Sequence, residues 1–474
     1  MIITQSELVA RLSSQLVVTP THSQQLAFNA MAEFLLSAQL RPTLLVNGYA
    51  GTGKTTIMRA LCDVATDLGF RLVLMAPTGR AAKVLSNVTG RTALTIHKTI
   101  YRQETAADLN SQFKIGYNAS RSTIFIVDEA SMISNAYTGE TEFGSGRLLT
   151  DLISYVFSQD NCRLLLVGDP AQLPPVGLNI APALDINYLQ GCGLDVAQVW
   201  LTDVVRQETE SAILKNAVEL RRIIENEPDF MGFPHLFAEY GTEVERLGGD
   251  ELIETLITCN DRYGTENTLV VTRSNKRATR FNLGIRAQVM FVEEEITRGD
   301  LLMVCKNNYK WLGKDSKDFI ANGDICEVVR INGYKTLYDK RFADVSLRFL
   351  EHNDVDVDAM LLLDGLSSDA GRMSRDEEMQ FFQTVAEDYA ELNNRARIMA
   401  AMREDPYYNA LQVKFAYAVT CHKAQGGQWN AVFVDIGYVA DEMRNTEFLK
   451  WLYTAITRAT DKLYLVNFPD DFFE

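Results

Sequence analysis

The sequence has no run of about 18 apolar residues, the length a helix needs to cross a bilayer, so no membrane span is expected. Its start, MIITQSELVARLSS, has neither the basic stretch nor the apolar core of a secretory leader, and none is expected. No two of the seven cysteines (Cys62, Cys162, Cys192, Cys259, Cys305, Cys326 and Cys421) form a CxxC pair, and most sit in apolar settings. Their odd number and scatter argue for buried free thiols in a reducing cytoplasm, not for a disulfide framework. The five histidines show no ligand spacing with them, which argues against a zinc site. An excess of positive charge is also missing: Lys and Arg total 46 against 62 Asp and Glu, a net charge of −16. That excludes a surface coated for loose nucleic-acid adhesion. Any nucleic acid would have to lie in a local channel, held by a few well-placed cations and backbone donors. No internal repeat, low-complexity tract or nuclease motif is present.

The chain does have length and apolar content. Its 474 residues, 47% hydrophobic, suffice for three or four units at about 100–200 residues each. Over the first 205 residues, apolar runs that end in polar turns alternate with helix-like stretches. The runs are TLLVNG (43–48), FRLVLMAPT (70–78), STIFIVDEA (122–130) and CRLLLVGDP (162–170). TTIMRALCDVATDL (55–68) and GRAAKVLSNV (79–88) lie between them. The alternation predicts an α/β fold, a parallel sheet flanked by helices with its functional groups at the carboxyl ends of the strands. A second set of such runs follows in TLVVTRSN (268–275), NAVFVDIG (430–437) and DKLYLVNF (461–468). It is interrupted at 290–405, first by short alternating segments that read as a small antiparallel β unit. The charged stretch 374–405 follows, which reads as an amphipathic helix or helix pair, or as a solvated face. The expected division is therefore 1–205, an interrupted second unit of 206–289 with 406–474, and an insertion of 290–405.

VNGYAGTGKTT (46–56) fits the phosphate-loop pattern, with Gly48, Gly51, Gly53, Lys54 and Thr55 in place between a strand and a helix. The glycines let backbone N–H groups curl around phosphate oxygens, as Thr52 and Thr56 can from the same turn, and the helix start adds positive dipole. Lys54 would neutralise the outer phosphates of ATP, and Thr55 would hold Mg²⁺. Asp128 and Glu129 close the strand 123–127; one carboxylate would orient Mg²⁺ and the other activate the attacking water. Gln172, just past another strand end in GDPAQLPPV, would touch the terminal phosphate or that water.

The ordered strings APTGRAAKVL (76–85), TIHKTI (95–100), IVDEASM (126–132), GDPAQLPPV (168–176), VTCHKAQGGQW (419–429) and LYTAITRATDKLYLV (452–466) together resemble superfamily 1 helicases of the RecD-like and Dda-like class. The resemblance implies two RecA-like domains with ATP between them, a small hairpin insertion at about 98–121, and an SH3-like barrel with a helical arm at 290–405. It implies ATP-driven 5′-to-3′ movement on single-stranded DNA, with tailed duplex DNA as substrate. It also implies a monomer that works beside single-stranded DNA-binding protein or other replication and repair factors. Carried over position by position, Gln24 (or Gln25, one register on) would read adenine. Arg206 and Arg458 would reach the phosphates from the second motor domain, Gly426 would approach the nucleotide and Gln428 its ribose.

For the strand, Pro77, Thr78, Thr95 and His97 are candidates from the first motor domain. Thr272, Asn275, Thr420, His422 and Lys423 are candidates from the second. Two grips on two domains are what stepwise movement needs, and contacts to the backbone imply little sequence preference. Phe113 in the hairpin insertion is the candidate stacking wedge, with Tyr101 and Tyr117 as rivals. These residues do not distinguish DNA from RNA, nor a strand-separating motor from an ATP-switched DNA-binding translocase.

Overall fold

A computed structural model of the chain describes residues 3–103, 113–137, 143–205, 211–312, 319–350 and 355–473. In chain order the first strands are β1 (Pro42–Gly48), β2 (Arg71–Ala76), β3 (Ala93–Thr95), β4 (Tyr101–Gln103), β5 (Phe113–Ile115), β6 (Thr123–Val127), β7 (Arg163–Gly168) and β8 (Asp195–Leu201). Six of them form one sheet in the order β3-β2-β6-β7-β1-β8, parallel at every junction. Successive side chains point to opposite faces of a strand, so both faces of this sheet need apolar residues. Leu44, Val46, Ile124, Ile126, Leu165 and Val167 pack into one core, which also holds Phe28 and Leu61. Leu45, Phe125, Val127, Leu164 and Leu166 pack into the other. The apolar runs that look continuous in sequence are thus two interleaved faces. β4 and β5 make a separate antiparallel pair.

The second sheet uses β9 (Val244–Leu247) and β10 (Thr268–Thr272). The chain then leaves for β11 (Leu301–Val304), β12 (Ile325–Leu337), β13 (Lys340–Phe349), β14 (Val355–Leu362) and β15 (Leu411–Phe415), which close into a barrel. It returns as β16 (Ala418–Thr420), β17 (Trp429–Asp435) and β18 (Ala459–Val466). The second sheet has the order β16-β10-β17-β18-β9 and is parallel throughout. The α/β fold class expected from the alternating runs is therefore present, with a small closed barrel beside the parallel sheets.

Barrel strands are antiparallel except at the β14–β15 closure. Tyr338 and Asp339, both at positive φ, make the two-residue turn from β12 to β13, the backbone such hairpins favour. The barrel closes through β15, so the chain leaves it after Phe415 and not at the expected boundary of 405. The charged stretch 374–405 is a pair of helices, Arg375–Glu387 and Arg395–Glu404. Phe381, Val385 and Met402 of this pair pack on Phe342 and Leu362 of the barrel, so it is a docked arm with a solvated outer face. All seven cysteines are free thiols. Among the described residues no helix is long and apolar enough to cross a membrane.

Candidate nucleotide cleft and strand groove

The loops after β2, β6, β7 and β1 lie side by side, because those strands are neighbours in the first sheet. They carry Pro77–Thr78, Asp128–Glu129, Asp169–Gln172 and the phosphate loop. Gly51 and Gly53 hold the left-handed conformation, at φ of 72° and 82°. A Cβ at Gly53 would lie 2.6 Å from Nε2 of Gln24, so the loop turns tightly against that amide. The helix Lys54–Asp67 starts at Gly53 with no side-chain cap, whereas Thr21, Thr78, Ser211 and Ser274 cap their own helices. Its first N–H groups therefore lack a side-chain acceptor, and a phosphate would supply one.

Lys54 Nζ donates to the carbonyl oxygens of Gly48 and Tyr49, each at 2.9 Å, and lies 3.7 Å from Asp169 Oδ2. Asp169 is buried; that burial raises its carboxyl above the ordinary range, and Lys54 opposes the rise. Asp128 Oδ1 accepts from the Glu129 N–H at 2.9 Å, and Glu129 itself sits at a φ of 52°. Burial first, and the Glu129 charge second, push the Asp128 carboxyl well above its usual range. Gln172 is buried, and its Oε1 has no hydrogen-bond partner among the described residues. These observations fit a nucleotide with Mg²⁺: an uncapped helix start, an unspent amide oxygen and two crowded acids that a divalent cation would relieve. Among the described residues no cluster of three His, Cys, Asp or Glu could hold a metal. Mg²⁺ characteristically takes one or two protein oxygens and fills its shell from phosphates and water, so Thr55 and Asp128 would suffice.

The second sheet meets this edge through the helix Thr446–Ile456. Tyr453, fully buried, donates its hydroxyl proton to Asp169 Oδ2 at 2.7 Å and accepts from the Ala50 N–H of the phosphate loop at 2.9 Å. Thr454 Oγ1 accepts from the Leu173 N–H at 2.8 Å, and Gln425 Nε2 donates to the Leu173 carbonyl at 2.8 Å. Sequence reasoning missed Asp169, Tyr453, Thr454 and Gln425. All four lie inside the motif strings, but nothing local pairs them across 252 to 284 residues.

Arg458 is buried and spends its guanidinium within its own domain, on Thr454 O at 3.0 Å, Gly427 O at 3.2 Å and Thr457 Oγ1 at 3.2 Å. Arg206 lies outside the described residues. Gln24 is buried; it donates to the Thr52 carbonyl at 3.1 Å while its oxygen accepts from the Thr21 N–H at 3.1 Å. Thr52 Oγ1 bonds the Tyr49 carbonyl at 2.8 Å, so its side chain shapes the loop. Gln428 is exposed. A Cβ at Gly426 would meet Ala81 and Thr78 of the first domain, so this glycine permits interdomain packing where an approach to nucleotide was expected. Next to it, the Arg80 guanidinium lies 3.9 Å over the Trp429 ring.

Pro77, Thr78, Thr95 and His97 line a cavity of about 240 Å³ together with Phe143, Asn307, Phe319, Asn322 and Lys423. Burial pushes His97 down to about 4, so the ring is neutral. Asn275, Thr420 and Lys423 line a second cavity of about 240 Å³, and His422 lines a small one between the two domains. Two expectations need correction. Thr272 is fully buried, its hydroxyl bonded to the Ser274 carbonyl at 3.1 Å, so it supports the turn and does not face the groove. Phe113 is also buried, with its ring packed against Phe143, Tyr309 and Phe319, and it presents no open face for stacking on a base. Of its rivals, Tyr101 is buried and bonded to Asp151, whereas Tyr117 is exposed. Residues 104–112 of the expected hairpin lie outside the described residues.

The sequence matches the AAA domain family over residues 22–226 and the UvrD-like helicase C-terminal domain over residues 415–466. It is 26% identical over 430 residues to the ATP-dependent RecD2 DNA helicase of Deinococcus radiodurans, covering 89% of this chain and 46% of that protein. It is 24% identical over 470 residues to the ATP-dependent DNA helicase dda of Enterobacteria phage T4, covering 94% of this chain and 99% of that one. The chain belongs to the RecD/Dda-like superfamily 1 helicases. It thus spans less than half of the first relative and nearly the whole of the second. Among solved structures, one of Pif1 helicases at forked double-stranded DNA aligns with a TM-score of 0.48 and 15% identity, over 97% of this chain and 94% of that one. The nucleotide cleft falls within the AAA match. Gln425, Tyr453 and Arg458 fall within the C-terminal match, so the two matched segments meet at one cleft.

Proposed function

We propose that this chain is an ATP-dependent DNA helicase that moves 5′ to 3′ along single-stranded DNA. One observation carries the motor reading, whereas the polarity rests on the likeness to RecD-like and Dda-like helicases. The cleft that joins the phosphate loop to the Tyr453 helix lies between two sheets, and both sheets also contribute to the strand groove, through Thr78 and Thr95 on one side and Asn275, Thr420 and Lys423 on the other. Any change in the cleft therefore changes the spacing of two grips on one strand.

In this reading Lys54 leaves the Gly48 and Tyr49 carbonyls for the outer phosphates of ATP, and Gln172 receives the partner that its free oxygen lacks. Glu129 positions the attacking water and takes its proton. Thr55 and Asp128 would hold Mg²⁺, which when bound stabilises charge on the phosphoryl oxygens. Arg458 turns from Gly427 O to the transferring group; an arginine in that role is worth about 10³–10⁵ in rate. With Arg206 as a second such donor, hydrolysis depends on closure. The expected domain division, with two motor units and an inserted barrel and arm, is part of the same proposal.

Direction is tested with duplexes that carry a single 5′ or a single 3′ tail. Unwinding is expected from the 5′ tail, and unwinding only from the 3′ tail would overturn the polarity. Comparing the stimulation of ATP hydrolysis by poly(dT) and by poly(U) tests the choice of DNA over RNA.

A further inference from the structure

The second of the two groove cavities has a wall that the motor motifs do not account for. It lies where the barrel meets the second sheet, and three cations line it: Arg372, Lys414 and Lys423. No aspartate or glutamate lines it, in a chain whose net charge is −16. Lys423 belongs to a motif, whereas Lys414 stands on the barrel strand β15 and Arg372 on the loop that precedes the arm.

The loop and strand are built around each other. Gly371, at a φ of 71°, passes so close to the Lys414 stem that any side chain there would collide with it. Lys414 Nζ donates to the Asp369 carbonyl, and the Met373 N–H donates to Gln412 Oε1 at 2.9 Å. The Lys414 ammonium is thus held at the cavity wall with donors to spare, because an ammonium carries three. Lys423 Nζ donates to Asn322 Oδ1 of the barrel at 2.7 Å. Lys423 and Asn322 also line the neighbouring cavity that holds Pro77, Thr78, Thr95 and His97, so the two cavities are adjoining parts of one groove. Burial, and the charges of Arg372 and Lys414, hold Lys423 below its ordinary value. Three like charges facing one space with no lining counter-charge repel one another, and an anion there would relieve that repulsion.

We propose that Arg372 and Lys414 of the barrel unit form with Lys423 a subsite that binds one backbone phosphate of the tracked single strand, with Asn275 and Thr420 at its edge. This rests on the strand-translocase reading. It makes the barrel a working part of the second domain's grip. A guanidinium suits a phosphate bidentately, and the two ammonium groups add point charge.

The test is the salt dependence of binding, measured by fluorescence anisotropy of labelled oligo(dT) on the full chain without nucleotide. For single strands the slope of log K against log salt changes by about 0.7 per phosphate contact. Arg372→Gln and Lys414→Gln are each expected to weaken binding equally on dT, dA and mixed sequences and to flatten the slope by up to that amount. Lys335→Gln, which removes an exposed barrel cation elsewhere, is expected to keep the wild-type slope. Arg372 is exposed on its loop, so its variant folds even where loss of Lys414 disturbs β15. Wild-type slopes in both variants would overturn the subsite and leave the motor reading intact. A wild-type chain that binds no oligo(dT) would overturn both. Inorganic phosphate at matched ionic strength is expected to displace the strand no better than chloride. Phosphate that binds the wild type but not the Arg372→Gln/Lys414→Gln variant, while oligo(dT) binds both with the same salt slope, would make this a free-phosphate site and overturn the strand assignment.

Discussion

Tyr453→Phe removes one oxygen atom and keeps the ring that packs the cleft. That oxygen bridges Asp169 and the phosphate loop from the second sheet's side, accepting from the Ala50 N–H and donating to the Asp169 carboxylate. A hydrogen bond to a charged group contributes about 1.5–3 kcal/mol, and a neutral one about 0.5–1.5 kcal/mol. The variant therefore costs up to about 2–4 kcal/mol in the nucleotide-free contact between the Thr446–Ile456 helix and the phosphate loop. Asp169 keeps its bond from the Ala171 N–H at 3.0 Å but loses its Oδ2 partner, and the nearest replacement is Lys54 at 3.7 Å. A tighter Lys54–Asp169 pair competes with phosphate. If Lys54 recovers about 1.4 kcal/mol of the loss, affinity for ATP falls about tenfold. The assay is equilibrium binding of a fluorescent, non-hydrolysable ATP analogue, run beside steady-state hydrolysis with saturating DNA. KM is expected to rise by about that factor, with a smaller fall in kcat. Tyr453→Phe in an Asp169→Asn background is expected to cost much less, because the neutral amide does not recapture Lys54 as a charge partner. Unchanged analogue affinity in Tyr453→Phe, with an unchanged melting temperature, would refute the reasoning.

Lys54→Ala is expected to abolish DNA-stimulated hydrolysis, and normal turnover in that variant would remove the phosphate-loop assignment. Arg458→Ala is expected to lower turnover by about 10³-fold or more while ATP affinity changes much less, checked by comparing kcat with analogue binding. His97 has a folded-state value of about 4 against an ordinary 6.5, so its contribution to stability is complete above about 6.5. That contribution is lost as pH falls from 6.5 towards 4, because the unfolded chain then takes up a proton that the folded chain refuses; the loss reaches about 3 kcal/mol. His97→Asn is expected to flatten this acid limb in melting curves taken from about pH 7 down to about pH 4, which spans the window over which the folded and unfolded forms differ in protonation. An identical limb in wild type and variant would mean that the ring is hydrated in solution.

Some of this arrangement is readable from local chemistry. The phosphate loop is legible because the glycines, the lysine and the threonine must be contiguous to wrap one phosphate. The placement of Asp128 and Gln172 beside that loop is legible because they follow buried strands, whose ends in a parallel sheet share one edge. Thr272 and Phe113 misled for one reason: a residue's chemistry is visible in sequence, but the direction it faces is not. Thr272 ends its strand facing inward, where the Ser274 carbonyl takes its hydroxyl. Phe113 meets barrel rings supplied from beyond residue 300. The barrel's end was misplaced because Leu411–Phe415 reads as well for a parallel strand as for the closing strand of a barrel, and only its pairing with β11 and β14 decides.

Local patterns were enough to give two parallel sheets, an interrupting β unit and the sheet edge that carries the glycine-rich loop, because each depends on residues within a few turns of one another. The tertiary structure decided that Tyr453 and Asp169 share a proton 284 residues apart, and that Lys54 rests on its own loop. It also decided that Arg372 and Lys414 of the barrel face the same space as Lys423. Hydrogen bonds and Coulomb forces act over ångströms of space and do not depend on separation along the chain. Such pairings come into being only once the chain has folded.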